Sequence, residues 1–435
     1  SSRSEWEEKR VNWLKLFTGL RDPKNFPWED CSNINVPVIA VACLQFQARA
    51  YEALVPSKQI AKCWATDGKA IDQAKRAERY MNFQLSYDMD MWEEEKDDLL
   101  LQLPIFGSAY KKTFYDSVAK KVLSRVLDVD ALVTPYKVKR LEEAIRKTHA
   151  FYMNVNDIKI RGQQGLFINT DDLKSGSLHI SGDPGSRIRE QADKITGISQ
   201  STIEAEQPRL ILEQHRYLSF NNGIAESYIV TADYETNKVL RVVPRWYKDP
   251  LTGSKTTLEF FTGYPFIPNP VSHYGFGFGS LLEGLNESVN SLINQLIDAG
   301  TLANIIAGLI AKRSGLKKGD LSFRMGEFKE VDINVDDIQK AIYQFKFPEP
   351  SVTLFQLLGL LVGYGKEIST VSDTLLGKLP PSDTTATTML AVMEQGMKMF
   401  STIHKRIHRA FRKELQKIFY LNGIYLNESV YFVVQ

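Results

Sequence analysis

Residues 266–304 read FIPNPVSHYGFGFGSLLEGLNESVNSLINQLIDAGTLAN, a passage from a Pro- and Gly-punctuated turn into a helix pattern. The glycines of GFGFGS, interleaved with Tyr274, Phe276 and Phe278, suit a tight turn anchored by aromatic rings just before a helix. A nucleotide-binding loop would need a preceding strand, a βαβ context and an acidic residue after the second strand, and the sequence offers none of them. From Leu281 to Ala303 the helix pattern carries Asn286, Asn290, Asn294 and Asp298 at every fourth position, set against Leu285, Val289, Leu292 and Leu296. Two readings of that stripe stay open: a face turned to a channel or a neighbouring subunit, or the polar side of an ordinary globular helix. A membrane span over 292–311 has the required length of about 20 residues. Asn294, Gln295, Asp298 and Asn304 argue against it, because an Asp at a bilayer centre costs about 2.5–3.5 kcal/mol.

The chain around this stretch has 435 residues, room for two or three domains. With 43% apolar and 24% charged residues it has a globular rather than a disordered composition. A net charge of +2 means that any surface for nucleic acid must be local. Cys31, Cys43 and Cys63 form no CxxC pair and leave an odd count, which fits a chain folded in a reducing cytoplasm better than a disulfide scaffold. The opening SSRSEWEEKRVNWLKLF is charged and amphipathic and lacks the apolar core of an export signal.

Upstream, Trp6, Trp13, Leu14 and Phe17 cluster at helical spacing, and 35–55 forms a second helix opened by a proline. One long helix is expected from Lys69 to about Leu103, stopped by Pro104. AYKKTFYD and KKVLSRVLDVDALVTPY alternate as strands, KRLEEAIRKTHAFY reads as a short helix, and 168–200 reads as a long surface excursion. A β-hairpin array fills 205–262. Downstream come a compact mixed unit, a helix over 351–376, the loop GKLPPSDTTATT and a long helix from about Ala386 to Leu421. The last helix keeps apolar steps of three and four through Met389, Met393, Met397, Phe400, Ile403, Ile407, Phe411, Leu415 and Ile418. The fold class is therefore α+β.

The chain reads as catalytically empty. GLLVGYGKE (359–367) has the wrong glycine spacing for a phosphate loop, and Glu367 stands where a Ser or Thr would bind magnesium. The acidic run DMDMWEEEKDD (88–98) could serve a metal-dependent enzyme, but on one continuous helix it reads rather as a solvated face or a dock for a basic partner. His404 and His408 have zinc spacing but lack a third ligand and sit among cations. No cofactor is expected. Basic residues concentrate in two places, Lys312, Arg313, Lys317 and Lys318 in the small mixed unit, and Lys398, Lys405, Arg406, Arg409, Arg412, Lys413 and Lys417 on the last helix. Such charge suits phosphate contacts without sequence readout, or a solvated helix face.

Taken in order, 98–116, 212–220, 266–304, 316–331, 350–369 and the segment MEQGMKMFSTIHKRIHRAFRKELQKIF resemble a tailed-bacteriophage portal protein, the head-to-tail connector. The resemblance implies a mixed α/β wing over 1–278, a first stem helix over 279–303 and a small β-rich clip over 304–350. A second stem helix over 351–376, a tunnel loop over 377–388 and a tunnel helix with the start of a crown over 389–435 complete it. It further implies a non-enzymatic, dodecameric ring in the virion, assembled in the host bacterial cytoplasm, that passes double-stranded DNA during packaging and ejection. The expected partners are the terminase large subunit, head-completion and tail adaptors, and the major capsid and scaffolding proteins, with no membrane. Lys378, Ser382, Thr384 and Thr385 would then meet DNA from the tunnel loop. Asn290, Asn294, Asp298, Lys398, Lys405 and Arg409 would line the channel or a subunit interface, and Lys312, Arg313, Lys317 and Lys318 would dock clip partners. Competing readings are a membrane-associated channel, from 292–311, and a metal-dependent enzyme built on 88–98.

Overall fold

The computed structural model describes residues 3–426 except 30, 55–58, 66–67, 90, 137, 177–185, 198–206, 221–222, 249–252, 305–307, 311–341, 345–348 and 370–385. The fold is α+β, with several small antiparallel sheets among helices. The chain divides into two compact units, one of Ser1–Leu20, Pro37–Gly284 and Gly365–Gln435, the other of Arg21–Val36 and Leu285–Tyr364.

The N-terminal helices follow from capping and periodicity. Helix α1 (Ser4–Thr18) ends at Gly19, whose φ of 81° lets its N–H return to the Lys15 carbonyl. Helix α2 (Val38–Leu54) starts after Pro37, whose carbonyl accepts from Val41 N at 3.1 Å.

The single helix expected from Lys69 to Leu103 is broken in two. Helix α3 (Ile71–Phe83) passes into a π turn over Gln84–Asp88, and α4 (Trp92–Phe106) starts afresh. The widened turn, closed by Met89 N to Gln84 O at 2.8 Å, leaves Gln84 buried. Its amide there exchanges hydrogen bonds of 3.1 and 2.7 Å with the amide of Asn422. Pro104 does not stop α4 but lies inside its last turn, and Gly107 at φ 79° ends the helix.

Strand β1 (Ser108–Asp116) runs between β2 (Lys121–Leu127) and β10 (Phe261–Pro265) in a three-stranded sheet. A five-stranded sheet follows chain order: β3 (Leu132–Val133), β4 (Lys147–Met153), β5 (Arg209–Leu218), β6 (Glu226–Asp233) and β7 (Val239–Pro244). A small pair, β8 (Trp246–Lys248) and β9 (Lys255–Thr257), completes the hairpin array. The helix expected in KRLEEAIRKTHAFY is corrected to a 3-10 turn at Leu141–Glu143 followed by β4. Pairing with β3 and β5 on both sides overrides the local helix preference of LEEAIRK. Helix α5 (Val155–Gln163) follows β4, and helix α6 (Ser186–Thr196) stands within 168–200, where a surface excursion is expected.

The remaining elements are α7 (Phe278–Asn304), β11 (Gly308–Ile310), β12 (Ile342–Gln344), α8 (Val352–Ile368) and α9 (Ala386–Tyr425). In the first unit the main core joins Trp13 and Phe46 to Leu99, Leu103, Phe266 and the α9 residues Ile407 and Ile418. The turn before α7 is closely packed backbone. A Cβ on Gly275 would lie 2.4 Å from the Gly107 oxygen, and one on Gly277 would lie 2.5 Å from the Gly107 nitrogen. The second unit holds α7 from Leu285 onward, the antiparallel pair β11–β12, most of α8, and residues 21–36.

Candidate functional site

The polar stripe of α7 holds an extended segment of its own chain. Asn290, Asn294 and Asp298 are all buried, as is Asn286. Asn290 Oδ1 accepts from Val36 N, Asn294 Oδ1 from Ile34 N, and Asp298 Oδ1 from Ser32 N, each at 2.7 Å. Asn290 Nδ2 donates to Asn35 Oδ1 at 2.7 Å, Asn294 Nδ2 to the Ile34 carbonyl at 3.1 Å, and Ser32 Oγ to Asn294 Oδ1 at 2.7 Å. The physical reason is a match of repeats. Side chains one helical turn apart rise about 5.4 Å, and alternate backbone groups of an extended segment advance about 6.6 Å, so one face of α7 reaches every second amide. Their assignment to a channel or subunit face is therefore corrected, since these polar atoms are spent inside the unit. Buried amide and carboxylate side chains need such partners.

A second polar cluster lies in the first unit, where α9 meets α4, β1, β2 and β10. Glu414, Lys96 and Lys111 are fully buried. Lys111 Nζ lies 2.9 Å from Glu414 Oε1, which also accepts from Ser124 Oγ at 2.7 Å and Trp92 Nε1 at 3.3 Å, while Tyr264 OH donates to Oε2. Burial alone would raise the Glu414 carboxyl, but Lys111, Lys96 and the hydrogen bonds from Tyr264 and Ser124 hold it at about 2. Lys96 Nζ has no hydrogen-bond acceptor among the described residues and sits 3.9 Å from the Phe411 ring centre and 5.1 Å from that of Tyr264. Burial pushes its pKa down to about 7, against the pull of Glu414 and with the push of Lys111. None of these three was singled out from sequence. The signal was available: Glu414 falls on the apolar stripe between Phe411 and Ile418, and Lys96 on that of Trp92, Leu99, Leu100 and Leu103.

The outward basic face of α9 is only partly free. Lys405 and Arg409 are exposed, whereas Arg406 Nη1 donates to the Phe266 carbonyl at 3.1 Å and Lys417 Nζ to Thr262 Oγ1 at 2.8 Å. The side chain of Lys398 lies outside the described residues, as do Lys312, Arg313, Lys317, Lys318, Lys378, Ser382, Thr384 and Thr385.

The acidic run does not converge. Glu93 accepts from Tyr51 OH, Glu95 from Arg125 Nη1 at 2.9 Å, and Asp97 from Gln47 Nε2 at 2.8 Å. Among the described residues no three His, Cys, Asp or Glu side chains are placed to share a metal ion. No described helix is long and apolar enough to cross a membrane.

Helix α8 presents apolar side chains to solvent. Val352, Phe355, Leu357, Leu360 and Tyr364 are 42–70% exposed, and only Gly365 of the helix is buried. Leu357, Leu360 and Tyr364 share one face by their spacing of three and four. Comparison with family models and with curated proteins finds no match for this chain.

Proposed function

We propose that this chain is one subunit of a portal-type ring, a passive conduit for double-stranded DNA in a phage virion. On this reading 1–278 is the wing, α7 and α8 belong to the two stem helices, 304–350 is the clip, and α9 is the tunnel helix. The observation that carries the reading is the uncovered apolar surface of α8. A helix this apolar is stable in water when another chain covers it, and a closed ring of identical copies supplies that cover through one repeated interface. The loop at 377–388 fits the same reading from its composition. Serine, threonine and proline with Lys378 as its only cation offer contact without a strong phosphate trap, and tight phosphate binding would stall a moving duplex. The terminase large subunit, tail adaptors, capsid and scaffolding proteins are the partners this function requires, and it requires no catalysis by the chain itself.

Sedimentation velocity on the purified chain tests the reading, alone and as the Leu357→Glu/Leu360→Glu variant. The wild type should sediment as a large closed oligomer and the variant as a monomer with unchanged circular dichroism. A wild-type chain that stays monomeric at high concentration and with scaffolding protein added would contradict it.

A further inference from the structure

The first unit contains a cleft of about 300 Å³ between the turn around Lys139–Glu142, the chain from Gly263 to His273, and α9. Lys139, Arg140, Arg406, Arg409 and Lys413 line it, and Glu142 is the one carboxylate among its described lining residues. Five cations against one anion stand out in a chain whose whole net charge is +2. A concave site of one sign focuses its field on whatever enters.

The partners of these groups decide what the cleft can take. Lys413 Nζ is 2.5 Å from Glu142 Oε1, so the single carboxylate is already neutralised. Arg406 is fixed in place by its bond to the Phe266 carbonyl. Arg409 and Lys139 are exposed and have no partner among the described residues. The adjoining His273 is held at both ring nitrogens, 2.8 Å from Tyr110 OH and 2.8 Å from Thr134 Oγ1. Burial, with Arg10 and Arg3 nearby, pushes its pKa down to about 4, so it is neutral at pH 7 and adds no charge. Arg140 Nη1 lies 3.5 Å from Glu143 Oε1, so Lys139 and Arg409 are the uncommitted cations of the lining, and the planar guanidinium fork of Arg409 matches a tetrahedral oxyanion.

We propose that this cleft is a phosphate-binding site, taking the phosphate of a small phosphomonoester or free inorganic phosphate, or a single phosphodiester of a nucleic-acid backbone. The volume lies at the small end of ligand pockets, which suits one phosphate and its first substituent. The site is complete within one chain, so it does not rest on the ring reading.

Isothermal titration of the full chain with inorganic phosphate, at matched ionic strength, tests this. The wild type should bind saturably with one site per chain, and Lys139→Ala/Arg409→Ala should weaken binding about tenfold or more, the value of one or two charge-assisted hydrogen bonds. Arg412→Ala, an exposed cation of the same helix outside the cleft, should leave binding unchanged. In a second arm a short DNA duplex is added. Competition with phosphate assigns the site to backbone phosphodiesters, and absence of competition assigns it to free phosphate or a small monoester. No saturable phosphate binding would overturn the proposal. Equal weakening by Arg412→Ala would also overturn it, showing a diffuse charge effect. Circular dichroism on each variant separates loss of binding from loss of fold.

Discussion

Lys111 Nζ sits 2.9 Å from Glu414 Oε1, and neither side chain is exposed to solvent. This pair joins the middle strand of the three-stranded sheet to the long C-terminal helix. Ser124, Trp92 and Tyr264 complete the coordination of the carboxylate. Removing one partner leaves an uncompensated buried charge, so Glu414→Ala should cost about 3–5 kcal/mol. Lys111→Met/Glu414→Leu should cost clearly less than Glu414→Ala, because both charges leave together. Urea unfolding followed by tryptophan fluorescence measures both. Equal losses would show that packing, and not charge pairing, dominates there.

Lys96 gives a pH signature. Its pKa is about 7 in the folded chain against 10.5 for the free side chain. Between those values the unfolded state binds more protons than the folded one, so stability rises with pH across this window. Below about pH 7 the burial penalty is at its full size and constant. Lys417, lowered to about 8 mainly by burial, adds a slope of the same sign above that pH. The Lys96 part is therefore the difference between wild type and Lys96→Met. That variant should be more stable at pH 7 and show a flatter rise from pH 7 to 10. A Lys96→Met chain with the wild-type slope would refute this assignment.

The α7 ladder should behave as a set of separate hydrogen bonds. Asn294→Ala strips the acceptor from Ile34 N and Ser32 Oγ and the donor from the Ile34 carbonyl, at a cost of about 0.5–1.5 kcal/mol for each part-buried hydrogen bond lost. Amide exchange at Ile34 should quicken strongly in this variant, while exchange in β5 stays unchanged. Asn294→Asp keeps an acceptor but loses the donor and should fall between the two. An Ile34 amide as protected in Asn294→Ala as in wild type would contradict the ladder.

The turn before α7 tolerates no added side chain. Gly275→Ala and Gly277→Ala each place a Cβ within 2.6 Å of backbone atoms that cannot swing away. Either should lower the thermal midpoint markedly, and Gly284→Ala, whose Cβ meets nothing within 4 Å, should not. Differential scanning calorimetry of the three variants distinguishes them.

The helices with a clean apolar stripe were readable from sequence, because burial against one side writes a period of three and four into α1, α2 and α9. The aromatic, glycine-rich turn before α7 was readable for a related reason, since only glycine fits where the backbones of Gly107 and Gly277 meet. Other features depend on partners distant in the chain. Lys147, Thr148 and His149 carry no strand signal of their own, and β4 forms because β5 offers a matching edge. Asn290 and Asn294 read as an outward polar face, toward a channel, a neighbouring subunit or solvent, because the segment they hold lies some 250 residues away and has no periodicity. Lys96 and Glu414 were legible in position but not in role, because a charge on an apolar stripe declares itself only when its partners are known.

End-on electron-microscopy class averages of the purified wild-type chain test the ring reading most directly. The account predicts closed rings with near-twelvefold symmetry and a central hole wide enough for duplex DNA, lost when Leu357 and Leu360 become glutamate. Compact monomers or closed dimers without a hole, unchanged at high concentration and with scaffolding protein present, would contradict it.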